Sequence, residues 1–178
     1  GSATLPARGM GEIPRQLAGR LPEGTIHYRS PVATVDVGGV VLRSGERMDA
    51  RAVVVATDAD SAALFLPNEV DQKRSWRSVT NLYFAADQSP VREPIICLNG
   101  EADGLVNNVC APSDAAGGYA PEGRALLSVS VLGLPEAEGL AAKVKSELVK
   151  WFGPEVDRWE LLRTDRIERA LPEQTPRS

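Results

Sequence analysis

Histidine is nearly absent from this 178-residue chain: His27 stands alone. That excludes a metal centre built on several histidines and leaves a histidine-dependent triad a single residue to draw on. Cysteine is almost as scarce. Cys97 and Cys110 are too few and too far apart for a disulfide framework, a zinc site or a redox dithiol. Each reads as a small core residue, and a reducing, cytoplasmic setting is expected. No apolar run reaches the roughly 18 residues that a membrane-spanning helix needs. The net charge of -4 offers no basic face, so no nucleic-acid partner is expected. There is no Gly-x-Gly-x-x-Gly opening a helix, no P-loop, no paired-cysteine zinc pattern and no Gly-x-Ser-x-Gly elbow. What is present is an ordinary globular mix, 43 % apolar and 25 % charged, enough for a real core in one domain or two small ones. Gly1-Ser2 reads as an expression remnant, so the natural protein is expected to begin elsewhere.

Residues 12–21 carry Ile13, Leu17 and Leu21 at four-residue spacing, with Pro14 in the first turn, and predict a helix with one apolar face. Three short extended runs follow, at 25–29, 31–37 and 40–43, with a return strand at 46–50. Gly38-Gly39 and Ser44-Gly45 supply the turns of a small antiparallel meander. The run 52–56, Ala-Val-Val-Val-Ala, is continuously apolar and β-branched, the pattern of a parallel strand buried on both faces. A helix over 61–66 is predicted next, capped by Asp58 or Asp60.

The second half changes character. Strands are predicted at 79–85, 94–98, 105–111, 125–132 and 159–167, with Asn99-Gly100 as a tight turn. Residues 136–152 form the longest helix, with Leu140, Val144, Leu148 and Trp151 or Phe152 inward and Lys143, Lys145, Glu147 and Lys150 toward water. The balance of acidic and basic residues on that polar face suits a solvated helix covering a sheet better than a membrane-surface helix. The expected organisation is α/β plus α+β: residues 1–66 a meander, a buried parallel strand and a helix; 67–74 a linker; 75–178 an antiparallel sheet with a covering helix.

A buried strand ending in Ala56-Thr57-Asp58 and leading into a helix is a ligand position in open α/β sheets; by itself it equally describes a plain strand–helix turn with a capping aspartate. Three segments in order add to it: Arg8-Gly9-Met10-Gly11-Glu12-Ile13-Pro14, then Ser30-Pro31-Val32-Ala33-Thr34-Val35, then Ala50 through Thr57. Their order and spacing resemble the middle of the flavin-containing amine oxidase superfamily, which includes phytoene-desaturase-like and protoporphyrinogen-oxidase-like enzymes. The block covers about the first third of the chain, and the rest is similar in architecture. The resemblance implies a partial FAD-binding domain followed by a substrate-binding domain. It implies that the backbone amide and carbonyl of Val32 hold the FAD adenine, that Ala56 and Thr57 lie close to the cofactor, and that Gly9 and Gly11 border the flavin and substrate cavity. Arg8 stands where the family often has a glycine. The family's upstream pyrophosphate-binding turn and downstream FAD segment do not occur here. The chain is therefore expected to be a central fragment that binds FAD weakly or not at all and is inactive alone.

Under the same resemblance, Asn107, Asn108 and Tyr83 are candidates for the substrate cavity. The other reading puts one asparagine at a bulge or turn and the other in water, and Tyr83 in the core, since Tyr83 and Phe84 alternate across a strand. His27 reads as a surface or half-buried strand residue rather than a proton shuttle. The expected partner is a small molecule, lipidic or amine, and a peripheral membrane contact of the parent fits the desaturase-like relatives. A cofactor-free α+β ligand-binding or interaction domain is the rival reading.

Overall fold

The computed structural model describes residues 4–67, 75–101 and 103–174. The chain divides into two units, residues 17–74 and residues 1–16 with 75–178. Apart from Pro67, the expected linker 67–74 lies outside the described residues.

In the first of these units, β1 (Val32–Asp36), β2 (Gly39–Leu42) and β3 (Arg47–Asp49) form an antiparallel sheet in that order, which is the expected meander. Asp36 pairs with Gly39, so Val37 and Gly38 make the turn, and the Gly38 amide donates to Asp36 Oδ1 at 2.7 Å. Glycine is required at 39 because a Cβ there would run into the Met48 carbonyl of β3. Arg47 ties the sheet together from outside, donating to Asp36 and Asp49 at 2.8 Å each. That guanidinium, with the Gly38 amide, holds the Asp36 carboxyl down to about 2. Helix α2, Ala59–Phe65, is capped by Asp58, whose side chain accepts from the amides of Asp60 and Ser61.

Two expectations for this unit fail. Residues 25–29 form no strand but an exposed, turn-rich stretch that contains His27. Residues 52–56 form no strand either, and Val54 is 85 % exposed. A strand buried on both faces needs hydrogen-bonded neighbours on both edges, and no strand among the described residues pairs with this run.

Helix α1, Glu12–Ala18, crosses the boundary between the units and is shorter than predicted. Its apolar stripe is not a buried one: Ile13, Leu17 and Leu21 are exposed, while Glu12 is 5 % exposed. The Glu12 carboxylate is held by Arg8, at 2.7 Å, and by Arg15, which offsets the cost of burying it.

The other unit is built on a five-stranded antiparallel sheet. Its strands are β4 (Trp76–Ala86), β5 (Ile96–Leu98), β6 (Val106–Cys110), β7 (Ala125–Leu132) and β8 (Glu160–Pro172), in the order β5-β6-β7-β4-β8. Helices α3 (Pro112–Ala115) and α4 (Leu140–Phe152) and two 3-10 turns, Gly117–Tyr119 and Pro154–Arg158, complete it. Strict alternation in β7 sends Ala125, Leu127, Val129 and Val131 to one face, where they are buried. Leu82 and Phe84 of β4 and Val109 of β6 join them, and α4 lays Leu140, Val144 and Leu148 on top. Trp159 closes the end of this core, its ring centroid 6.1 Å from those of both Phe84 and Phe152. Gly153, at φ 90, ends α4 in a conformation that favours glycine.

Glu147 corrects the predicted solvent face of α4. It reaches the sheet, where its carboxylate accepts from the Leu105 amide at 2.7 Å and the Val106 amide at 3.2 Å. Lys145 likewise turns inward and donates to the carbonyls of Asp157 and Trp159. The Asn99-Gly100 pair opens a longer loop instead of a two-residue turn, because Asn99 bridges to the Val106 carbonyl and the Glu101 amide.

Candidate functional site

The face of the five-stranded sheet opposite α4 carries polar side chains in register. Asp165, Asn81, Ser130 and Asn108 pair across β8, β4, β7 and β6. Arg163, Tyr83, Ser128 and Cys110 make the next row across the same four strands. Partners across a ladder share a face, so eight side chains able to hydrogen-bond form one band. Both ends of the band turn apolar: Val79 pairs with Leu132 on one side and Ala85 with Leu126 on the other.

Asn81 is the hub. It is 8 % exposed; its Oδ1 accepts from the Ser130 hydroxyl at 2.9 Å, and its Nδ2 donates to Ser128 Oγ at 3.0 Å. Burial of an amide is tolerated here because its groups are paired. Burial pushes the Cys110 thiol up, an effect that its hydrogen bond with Ser128 partly opposes, so the thiol stays neutral. At the β8 end, Arg163 Nε donates to Asp165 at 2.6 Å, and that carboxylate raises the guanidinium further above its usual range. The band can orient a polar group through fixed donors and acceptors. Among the described residues no group of three or more His, Cys, Asp or Glu could hold a metal ion.

Of the sequence candidates, Tyr83 and Asn108 fall within this band. Asn107 is the bulge residue of β6, with no Cα partner on β7, and its carbonyl accepts from the Asn99 amide at 2.9 Å. The two cysteines occupy opposite faces: Cys97 pairs with Val109 of the core face, and Cys110 lies in the band. The sequence reading passed over Asn81, Ser128, Ser130, Arg163 and Asp165. The alternation Ser128-Val129-Ser130 was the available signal, and it gains meaning only once the register is known.

The flavin candidates divide between the units. Val32 opens β1, the edge strand of the meander. The Arg43 amide donates to the Pro31 carbonyl at 2.8 Å, and the Leu42 amide donates to Glu46. In an antiparallel ladder, bonds that flank a residue leave its own amide and carbonyl pointing the other way. The N–H and C=O of Val32 therefore point away from β2, off an edge that pairs with no strand among the described residues. Ala56 and Thr57 lie in the same unit, exposed, just before the Asp58 cap. Gly9 and Gly11 lie in the other unit. Gly9, at φ 93, makes the turn in which its amide donates to Pro6 and its carbonyl accepts from Glu12, and a Cβ at either glycine would meet no atom within 4 Å.

The family model described as flavin containing amine oxidoreductase matches residues 1–175. No curated protein matches the sequence. Solved structures with a similar fold include reduced UDP-galactopyranose mutase, at 15 % identity and TM-score 0.62 over 94 % of this chain and 41 % of that one. An oxidoreductase from Methanosarcina mazei aligns at 17 % identity and TM-score 0.57, over 77 % of this chain and 36 % of that one. A protein from Pyrococcus furiosus aligns at 19 % identity and TM-score 0.58, over 80 % and 38 %. This chain thus spans well under half the length of the structures it is similar to. With the match running over nearly all of its residues, the chain belongs to the flavin-containing amine oxidoreductase family.

Proposed function

We propose that the chain is the central part of an FAD-dependent oxidoreductase of amine oxidase or desaturase type. The observation that carries this is the family match over residues 1–175, joined by the outward-pointing backbone pair of Val32. The chemistry that FAD supplies when bound is acceptance of a hydride from a C–H bond beside nitrogen or within a polyene. In this reading the Val32 amide and carbonyl hold the adenine, Ala56 and Thr57 border the cofactor, and Gly9 and Gly11 border the flavin side of the substrate cavity. The sheet face carrying Tyr83 and Asn108 orients the substrate, with Asn107 at its margin. The parent's partner is then a small molecule, and the free cysteines suit a cytoplasmic setting.

By itself the chain is inactive in this reading, since most of the cofactor's contacts lie in other segments of the parent. The run 52–56, where Ala52, Val54 and Ala56 are exposed, and the exposed stripe of α1 are surfaces that the remainder of a flavoprotein would cover.

FAD titration of the full-length protein tests the adenine contact. Val32→Pro removes only the outward amide, which no ladder bond uses, and proline is tolerated on an edge strand. It is expected to weaken FAD binding roughly ten-fold, as loss of one good hydrogen bond does, while Val32→Ala binds like wild type. Equal binding by all three proteins would remove Val32 from the site.

A further inference from the structure

The loop that carries Gly9 and Gly11 is held from within the sheet unit. Among the described glycines of that unit, Gly118 is the one where an added Cβ would run into backbone, the carbonyl of Ala7. At Gly104 and Gly153 a Cβ would meet side chains, which can swing aside. The Gly118 backbone is not in the left-handed region, so the closeness of Ala7, and not conformational freedom, is what calls for glycine there. The support behind Gly118 is fixed. Its 3-10 turn follows α3, and α3 is tied down twice: Ser113 Oγ accepts from the Leu126 amide of β7 at 3.1 Å, and the Asp114 carboxylate accepts from the buried Ser89 hydroxyl at 2.5 Å.

From Ala7 the chain turns at once. The Gly9 amide donates to the Pro6 carbonyl at 3.0 Å, and the Glu12 amide donates to the Gly9 carbonyl at 3.1 Å. Arg8 reaches across this turn to the buried Glu12 carboxylate, a bracket that a glycine at position 8 could not supply. On the outer side, a Cβ at Gly9 or Gly11 would meet nothing within 4 Å, and Met10 between them is exposed. The loop is thus fixed on its inner side and clear on its outer side.

We infer that Gly118 is a positioning residue: it seats Ala7 against the sheet unit and, with the Arg8–Glu12 pair, sets where Gly9 and Gly11 stand beside the flavin ring. That the loop borders a flavin rests on the oxidoreductase reading; that Gly118 seats the loop does not. The placement matters because a displacement of ~1 Å beside a reacting centre can cost on the order of 100-fold in rate.

The test compares Gly118→Ala with Gly117→Ala in the full-length protein. A Cβ at Gly117 would meet nothing within 4 Å, so this control adds the same methyl one residue away without touching Ala7. Two signals are read: hydrogen exchange of the Gly9 and Glu12 amides, and the visible circular dichroism of bound flavin, which senses the surroundings of its ring. Gly118→Ala should still fold, since the obstacle is Ala7 and not the core. It is expected to speed exchange of both amides roughly five-fold, the effect of about one net hydrogen bond, and to change the flavin dichroism. Gly117→Ala should match wild type in both. Arg8→Ala removes a mostly exposed side chain, leaves Glu12 with Arg15, and should speed the same exchange through the other half of the restraint. Wild-type exchange in Gly118→Ala removes the seat, and wild-type exchange in both variants overturns the whole restraint. Faster exchange with unchanged flavin dichroism overturns the positioning of the flavin. A full-length protein that neither contains nor takes up FAD removes the oxidoreductase reading, and the exchange result then decides the seat by itself.

Discussion

The two units of this chain are held together by different means. The five-stranded sheet and α4 enclose a continuous apolar core from Leu82 to Trp159. Among the described residues of the meander unit, the buried apolar side chains are Leu42 and Ala63. That unit relies on a glycine turn, a capped helix and an arginine bridging two aspartates, all at the surface. The difference teaches which part carries its own stability and which part depends on neighbours. Burial of apolar surface scales with enclosed area, whereas exposed ion pairs contribute little.

The largest effect should come from the core. Leu148→Ala is expected to destabilise the sheet unit by about 2–5 kcal/mol in urea unfolding, and a loss under 1 kcal/mol would mean that α4 is not the lid of this core. Glu147→Ala comes next. It strips the partners from the Leu105 and Val106 amides and should cost about 1–3 kcal/mol, whereas replacing an exposed residue of the same helix, Lys143 or Lys150, should stay within about 0.5 kcal/mol of wild type.

In the meander the effects should be smaller and dependent on pH. The carboxyl of Asp36 titrates at about 2 when folded against an ordinary 3.8. A depressed carboxyl stabilises the folded form above the ordinary value and loses that contribution as pH falls through the lowered one. The protection factor of the Gly38 amide in hydrogen exchange should therefore fall between about pH 4 and pH 2 in wild type, and Asp36→Asn should show the low-pH protection factor throughout. Smallest of all is Val54→Ser, expected within about 0.5 kcal/mol of wild type in this chain because the side chain is already in water. The same substitution in the full-length protein should cost distinctly more if the run 52–56 is completed there as a buried strand.

Much of the sheet unit was legible in the sequence because alternation and turn residues are local signals. The predicted strands 79–85 and 125–132 match β4 and β7 closely. The predicted helix 136–152 began too early, because Gly139, at φ 68, bounds α4 and sequence periodicity does not reveal that backbone turn. The run 52–56 misled for a physical reason: composition shows that a segment suits a doubly buried strand, and only its partners can make it one. The polar band was not legible, since it depends on the register of four strands that are far apart in sequence.

The absorbance spectrum of the purified full-length protein tests the central claim most directly. The account predicts the two flavin bands in the near-ultraviolet and the blue, released as FAD on denaturation. A colourless full-length protein that also fails to take up added FAD would contradict it and leave a cofactor-free binding domain in its place.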